Sequence, residues 1–120
     1  MHDATEGGVM GGLHEMAQAS GTAFVVDEGS IPVAEEVRAI CKAFRLDPLA
    51  TQSEGALLLT CSPGSEDSVV SAIRKGGSAA TVLGRVETGR GLYLRAGGRR
   101  RRLRAQGDKY WELFSRRGFK

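Results

Sequence analysis

The sequence predicts one α/β (α+β) domain in which a mixed β-sheet packs against helices. Two observations predict this fold class. In roughly the first 75 residues, segments with helical spacing of apolar residues alternate with short, β-branched apolar runs. The remainder holds three further strand-like runs separated by glycines. The predicted order is therefore α-β-α-β-α-β-β-β-α, and 120 residues suit a single domain with a continuous core.

The first predicted helix runs from about residue 7 to residue 19. Its apolar residues recur at spacings of three and four: Val9, Met10, Leu13, Met16 and Ala17. Gly21 suits a C-terminal cap, since glycine adopts the left-handed conformation that ends many helices. Residues 22–26 form an apolar, β-branched run that predicts the first strand, and residues 27–30 predict a turn.

A second helix is predicted to follow, because Ser30 precedes Pro32, a residue tolerated in a first helical turn. We expect one apolar face on this helix: Val33, Val37, Ile40, Cys41 and Phe44.

Residues 56–61 are the best candidate for a central strand. The run is apolar almost without interruption, and this pattern implies cover on both faces of the sheet. Its last residue, Cys61, and Cys41 are predicted to be buried, reduced thiols. Two cysteines this far apart suit neither a disulfide framework nor a metal site.

Residues 65–120 predict one helix, three strands and a short final helix. The helix spans about residues 65–75 with Val69, Val70 and Ile73 inward, and Gly76 and Gly77 end it. Strands follow over residues 79–86, 92–95 and 99–104, with a turn over 89–91 and antiparallel pairing. Near the end, Gly107 and Asp108 cap a short helix whose aromatic residues we expect to pack on the domain.

Charge is distributed unevenly along the chain, which carries a formal net charge of +3. The arginines crowd into the last third, among them Arg95, Arg99, Arg100, Arg101, Arg102 and Arg104. Such a segment can steer phosphate-bearing ligands. However, arginine and leucine alternate around Leu103, which also fits an edge strand whose charged side chains prevent aggregation. We favour the edge strand and do not expect a nucleic-acid partner, because the arginines lack interleaved aromatic residues.

Membrane and export signals are absent from the sequence. No apolar run approaches the roughly 20 residues that a membrane helix needs, and the start does not resemble a signal peptide. We therefore expect a soluble, cytoplasmic protein without a membrane partner. A functional-looking motif at residue 2 also leads us to expect the carboxyl half of a longer protein.

That motif combines an acid, a hydroxyl and glycines directly before a helix. Asp3 offers a carboxylate and Thr5 a hydroxyl, while Gly7 and Gly8 let backbone N–H groups approach a ligand. This combination is typical of a phosphate or metal site. Two structural alternatives stay open: Asp3 as the N-cap of a capping box with Glu6, and the glycines as sites of close helix packing.

The segment His2-Asp-Ala-Thr-Glu-Gly-Gly8 resembles the His-Asp-Pro-Thr-Arg-Gly-Gly motif in the carboxyl domain of the HypE family of hydrogenase-maturation proteins. Residues 31–38, 46–49 and 53–57 follow in that family's order. Ala4 and Glu6 replace its proline and arginine. The family's tail ends in a cysteine that carries the carbamoyl group, whereas this chain ends in Lys120. We therefore do not assign carbamoyl dehydration to the chain on this resemblance.

The HypE family lies within the PurM-like, aminoimidazole ribonucleotide (AIR) synthase-related enzymes. The resemblance implies a PurM C-terminal fold over residues 1–120, preceded in the whole protein by an N-terminal PurM-like domain that forms a homodimer. It also implies binding of ATP and Mg²⁺ at the domain interface, and phosphorylation or activation of a carbonyl-type oxygen on an unknown substrate. The alternative is a non-catalytic binding or regulatory domain that retains the fold.

The resemblance also implies roles for individual residues. Asp3 is placed beside the metal, and Thr5, Gly7 and Gly8 beside the nucleotide. Glu54 and His2 are the candidate catalytic residues, which would position the substrate or move a proton. The simpler alternatives are a turn carboxylate for Glu54 and a solvated side chain for His2. His14, within the predicted helix, is expected to be a surface or packing residue.

Overall fold

A computed structural model describes residues 1–53 and 55–105 of the chain. It contains six strands, three α-helices and one 3₁₀ turn in this part. In chain order they are β1 (His2–Asp3), α1 (Gly8–Ser20), β2 (Ala23–Asp27), the 3₁₀ turn (Glu28–Ser30), α2 (Glu35–Phe44), β3 (Leu57–Leu58), α3 (Glu66–Lys75), β4 (Gly84–Glu87), β5 (Gly91–Ala96) and β6 (Arg99–Leu103). The predicted fold class, a mixed sheet packed with helices, is confirmed.

The main sheet has four strands in the order β4-β2-β5-β6. Strand β2 pairs antiparallel with β4 and parallel with β5, while β5 and β6 are antiparallel neighbours. The predicted antiparallel end is confirmed for β5 and β6. A direct hairpin between β4 and β5 is wrong, because β2 lies between them and the turn at residues 89–91 carries the chain across it.

Helix α1 covers one face of this sheet and forms the core with it. Phe24 and Val26 of β2 and Leu92 and Leu94 of β5 point to this face, and Leu92 is fully buried. The other buried members of the cluster are Ala4, Met10, Leu13, Ala17, Ile31 and Leu58. The prediction for α1 is confirmed, including its cap, since Gly21 has φ of 64° and its N–H donates to helix carbonyls.

The opposite face of the sheet carries a polar network. Glu87 on β4 accepts hydrogen bonds from Arg85 at 2.6 Å and from Arg100 at 3.0 Å, so one carboxylate joins the two edge strands. The Arg100 guanidinium also lies 4.2 Å from the centre of the Tyr93 ring. Arg95 donates to Asp27 at 2.6 Å. Long polar side chains thus occupy this face of the sheet.

Helix α2 begins later than expected and does not bury the predicted apolar face. It starts at Glu35, because the preceding residue Ala34 is still extended (φ −63°, ψ 145°), so Pro32 lies outside the helix. Of the residues expected to share that face, only Cys41 is buried; Ile40 is 59% exposed. Helical periodicity identified the helix, but it cannot show that a covering element is present.

The central strand predicted at residues 56–61 is wrong. Only Leu57 and Leu58 form a strand, and they pair with β1 in a separate two-stranded sheet. Leu57 is exposed, and so is Cys61, contrary to the prediction of a buried thiol. The error arises because an unbroken apolar run does not by itself specify which strand will pair with it.

The remaining elements follow the sequence more closely. Helix α3 has the predicted bounds within one residue, although Val69, Val70 and Ile73 are only half-buried. Strand β4 is shorter than residues 79–86, and the short helix predicted near residue 107 lies outside the described residues. In the part of the chain that the structure describes, every helix is too short or too polar to cross a membrane.

Candidate functional site

The motif at residues 2–8 is held between the small sheet and α1. His2 and Asp3 form β1, in register with Leu58 and Leu57 of β3. The next residue, Ala4, is buried at 1% exposure and its N–H donates to the Ala56 carbonyl at 3.1 Å. This small residue therefore anchors the motif while its neighbours on both sides reach the surface.

Four polar side chains meet beside this anchor. The His2 ring contacts two carboxylates: Nε2 is hydrogen-bonded to Glu15 on α1, and Nδ1 lies 3.6 Å from Asp3. Thr5 donates its hydroxyl hydrogen to Asp3 Oδ2 at 2.9 Å. The structure thus brings three of the predicted site residues, His2, Asp3 and Thr5, into one cluster.

Asp3 is ionised and accessible in this cluster. Its side chain is 75% exposed. The Thr5 hydroxyl, then a backbone hydrogen bond, and to a smaller extent His2 lower the pKa of Asp3 below its usual range. The capping-box alternative is wrong, because the N-cap of α1 is Gly7 and no side chain caps this end. Asp3 therefore does not serve the start of α1, and its carboxylate stays accessible to solvent.

Position 8 requires glycine for two reasons: its backbone conformation and the close approach of neighbouring atoms. Its φ is 64°, and a Cβ at this position would lie 2.4 Å from the Thr51 carbonyl oxygen and 2.7 Å from that of Leu49. The start of α1 therefore packs directly on the loop at residues 49–51. The Met10 N–H donates a hydrogen bond to the Leu49 carbonyl at 3.0 Å, which stabilises the packing of α1 on this loop.

Gly7 adopts the left-handed conformation (φ 74°) at the N-cap of α1. Its carbonyl accepts from the Gly11 N–H at 3.0 Å. The N–H groups of Gly8 and Val9 have no acceptor among the described residues. These two donors at a helix start are of the kind that binds anions.

The glycines farther along α1 serve close packing. A Cβ on Gly12 would lie 2.8 Å from Leu58 Cδ1, and one on Gly11 would lie 3.1 Å from the Glu6 carbonyl oxygen. The packing alternative therefore accounts for Gly12, which lets α1 approach β3.

Glu54 lies outside the described residues. The residue before it, Ser53, donates its N–H to the Thr5 carbonyl at 2.9 Å, so the loop at residues 51–53 adjoins the motif. The role predicted for Glu54 stays a prediction.

The part of the chain that the structure describes contains no group of three His, Cys, Asp or Glu side chains arranged to hold a metal. Mg²⁺ does not need a site built from protein ligands alone, however. Proteins usually bind this ion through one or two carboxylates, together with phosphate oxygens and water. The exposed, ionised carboxylate of Asp3 therefore fits magnesium that arrives with a nucleotide phosphate.

Sequence reasoning missed Glu15. It lies thirteen residues from His2, on the face of α1 that passes β1, and no spacing rule links the two residues. His14, predicted to be a surface or packing residue, is partly buried. Its Nε2 atom has no hydrogen-bond partner in the described part of the chain.

Residues 1–97 match the family model described as AIR synthase related protein, C-terminal domain. Over 88 residues the chain is 39% identical to the carbamoyl dehydratase HypE of Rhizobium leguminosarum bv. viciae, and this covers 72% of the chain and 25% of that protein. It is 32% identical over 96 residues to the HypE of Escherichia coli, covering 78% of the chain and 29% of that protein. The chain thus spans about a quarter of the length of the curated relatives it matches.

Solved structures show the same similarity. The crystal structure of E. coli HypE, a hydrogenase maturation protein, matches with a TM-score of 0.79 at 31% identity, covering 88% of this chain and 34% of that one. A structure of the hydrogenase maturation protein HypE in complex with ATP also matches with a TM-score of 0.79, at 27% identity, covering 88% and 35% respectively.

Proposed function

The chain belongs to the AIR synthase related proteins, as their C-terminal domain, and we propose on this basis that it forms part of an ATP- and Mg²⁺-dependent enzyme of the HypE type. The observation that carries the proposal is the match of residues 1–97 to this family, together with the similarity to a HypE protein solved with ATP. The enzyme would phosphorylate or activate a carbonyl-type oxygen of its substrate.

The nucleotide site is proposed to be shared between two domains. The chain spans about a quarter of the curated relatives' length, which leaves room in the whole protein for an N-terminal PurM-like domain. In this proposal residues 1–120 form one domain that supplies one wall of the cleft. The other domain supplies the opposite wall and the contacts of a homodimer.

Different residues of the motif are proposed to bind the metal and the phosphate groups. Asp3 would hold the metal, because it is exposed and its carboxylate is kept ionised by Thr5. The N–H groups of Gly8 and Val9 would donate hydrogen bonds to phosphate oxygens, and Gly7 shapes the turn that precedes them. Thr5 orients the Asp3 carboxylate through its hydrogen bond.

The proposed catalytic residues act on protons. His2 is held by Glu15, which places the imidazole ring between two carboxylates. Such a group can donate a proton to the substrate or position it. Glu54, which follows Ser53 in the sequence, is the second proposed catalytic residue. Bound nucleotide would supply the phosphoryl group that makes the carbonyl oxygen a leaving group.

The test is a calorimetric titration of Mg-ATP into the polypeptide encoded by the whole reading frame, and into the 120-residue chain alone. We expect binding by the whole protein and at least tenfold weaker binding by the chain alone, because half of the cleft is missing. Asp3→Asn in the whole protein is expected to weaken Mg-ATP binding by about tenfold, close to the loss of one charge-assisted contact.

The matched control is Asp67→Asn, an exposed carboxylate in the first turn of α3. It changes the net charge equally and should leave binding unchanged. If the whole protein does not bind Mg-ATP at millimolar concentration, or if both substitutions weaken binding equally, the enzyme proposal is wrong. A non-catalytic binding or regulatory domain is then the better description.

A further inference from the structure

We propose that strand β6 is a docking edge for an extended acidic peptide, which adds to the main sheet as a fifth strand. The name arginine edge is used here for Arg99, Arg100, Arg101 and Arg102, four consecutive residues of β6. This inference is independent of the proposed nucleotide site, which lies at the start of α1.

The position of β6 makes strand addition possible. It is the last strand in the order β4-β2-β5-β6, so among the described strands it has a neighbour only on the β5 side. All four arginines are exposed, and a strand with one free side presents a row of N–H and C=O groups to a partner. Extended peptides commonly bind to such edges through main-chain hydrogen bonds.

The charges of the arginine edge are only partly balanced within the chain. Arg100 reaches Glu87 and covers the Tyr93 ring, but no carboxylate of the described residues lies within ion-pair distance of Arg99, Arg101 or Arg102. By register, Arg99 and Arg101 lie opposite Ala96 and Leu94 of β5, on the face of the sheet that α1 covers. Two uncompensated guanidinium groups thus flank the free edge on this face.

These charges select among possible occupants. A second copy of β6 would bring four more arginines alongside, and like charges on neighbouring strands repel. A strand with acidic side chains instead meets a guanidinium at alternate positions. Nucleic acid is less favoured, because the Arg100 side chain already covers the ring of Tyr93, the aromatic residue on the neighbouring strand β5.

The test uses the full chain and an eight-residue peptide of alternating glutamate and threonine, capped at both ends. Alternation places every glutamate on one face of an extended strand. We expect the peptide to protect amide protons of residues 99–103 from exchange. A peptide of the same sequence and charge, N-methylated at alternate residues, cannot complete a strand ladder and should bind at least tenfold more weakly.

Two variants separate the edge from general charge. The double substitution Arg99→Glu and Arg101→Glu should weaken peptide binding by about tenfold. Arg38→Glu with Lys42→Glu is the matched control, because both residues are exposed on α2 and the net charge changes equally. Equal binding of the N-methylated peptide, an equal effect of both double variants, or tighter binding of a 20-base-pair DNA duplex at the same strand would each overturn the proposal.

Discussion

The hydroxyl of Thr5 donates a hydrogen bond to the carboxylate of Asp3 across 2.9 Å. This short-range contact fixes the direction of an otherwise exposed side chain and lowers the pKa of Asp3, so the carboxylate is ionised well below neutral pH. The pair has no role in capping α1, whose N-cap is Gly7. The hydrogen bond from Thr5 therefore acts on the charge and the orientation of the Asp3 carboxylate.

We expect Thr5→Val to raise the pKa of Asp3 toward its ordinary value, because the largest cause of the lowering is removed. The carboxyl carbon of Asp3, followed by NMR during an acid titration, measures the change. Thr22→Val is the control, since Thr22 is hydrogen-bonded to Ser20 and not to the motif. An unchanged Asp3 titration in Thr5→Val would show that the hydroxyl does not act on the carboxylate.

Gly8→Ala is expected to destabilise the chain by about 3 kcal/mol. The substitution combines a left-handed backbone with a methyl group placed against the Leu49 and Thr51 carbonyl oxygens. Gly21→Ala separates the two causes, because φ is also 64° there and no atom lies within 4 Å of the added Cβ. We expect about 1 kcal/mol for Gly21→Ala in urea unfolding. Equal losses at both positions would contradict the packing of Gly8 on the loop.

Leu92→Ala is expected to cost about 3 kcal/mol of unfolding free energy, because its side chain is fully buried between α1 and the sheet. Val82→Ala removes a side chain that is 47% exposed and should change stability by less than about 0.5 kcal/mol. Chemical denaturation of both variants measures the difference. A small effect at Leu92 would indicate that the core does not centre on β5.

Acid should destabilise the folded chain partly by protonating Asp27 and Glu87. These carboxylates lie on the face of the main sheet opposite α1 and accept hydrogen bonds from arginines. Hydrogen bonds from Arg95 to Asp27 and from Arg85 and Arg100 to Glu87 lower the pKa of each carboxyl group. A lowered pKa in the folded state contributes stability that is present above the unfolded-state pKa and lost as pH falls through the folded-state value. Thermal midpoints should therefore drop below about pH 4.

The variant Asp27→Asn tests this linkage. It should unfold at a lower temperature at neutral pH and lose less stability on acidification, because one of the titrating groups is gone. Asp67→Asn, an exposed carboxylate on α3, should retain the pH dependence of the unaltered chain. A steeper acid dependence in Asp27→Asn would contradict the assignment.

The two cysteines should differ in reactivity. Cys61 is exposed, whereas Cys41 is buried and desolvation raises the pKa of its thiol. A thiol reagent at pH 8 is expected to modify Cys61 rapidly and Cys41 only after unfolding, since the thiolate is the reactive form. Cys61→Ser should remove the fast phase and Cys41→Ser the slow phase. The reverse assignment of phases would contradict the burial of Cys41.

The sequence could predict elements whose signals are local. Helix α1 was identified by its 3.6-residue periodicity and by Gly21, and β5 and β6 by short runs on either side of Gly97 and Gly98. His2, Asp3 and Thr5 lie within four residues of one another, so the chain itself keeps these predicted site residues close together. Their roles stay predictions.

Long-range relationships could not be read from the sequence. The parallel pairing of β2 with β5 joins segments far apart in the chain, and no residue pattern specifies that neighbour. For the same reason Glu15 was missed as the partner of His2. The exposure of Ile40 on α2 was unexpected because periodicity defines an apolar face without showing what covers it.

The position of β2 between β4 and β5 has a consequence for biosynthesis. The contact of Asp27 with Arg95 spans 68 residues, which a ribosome adds in roughly 3 to 14 s. Until residue 84 is added, the newly made β2, with its four buried apolar residues, has α1 beside it but neither strand neighbour. A nascent chain stalled before residue 84 therefore exposes both edges of β2, and it should bind chaperones that a chain stalled after full emergence of β6 does not.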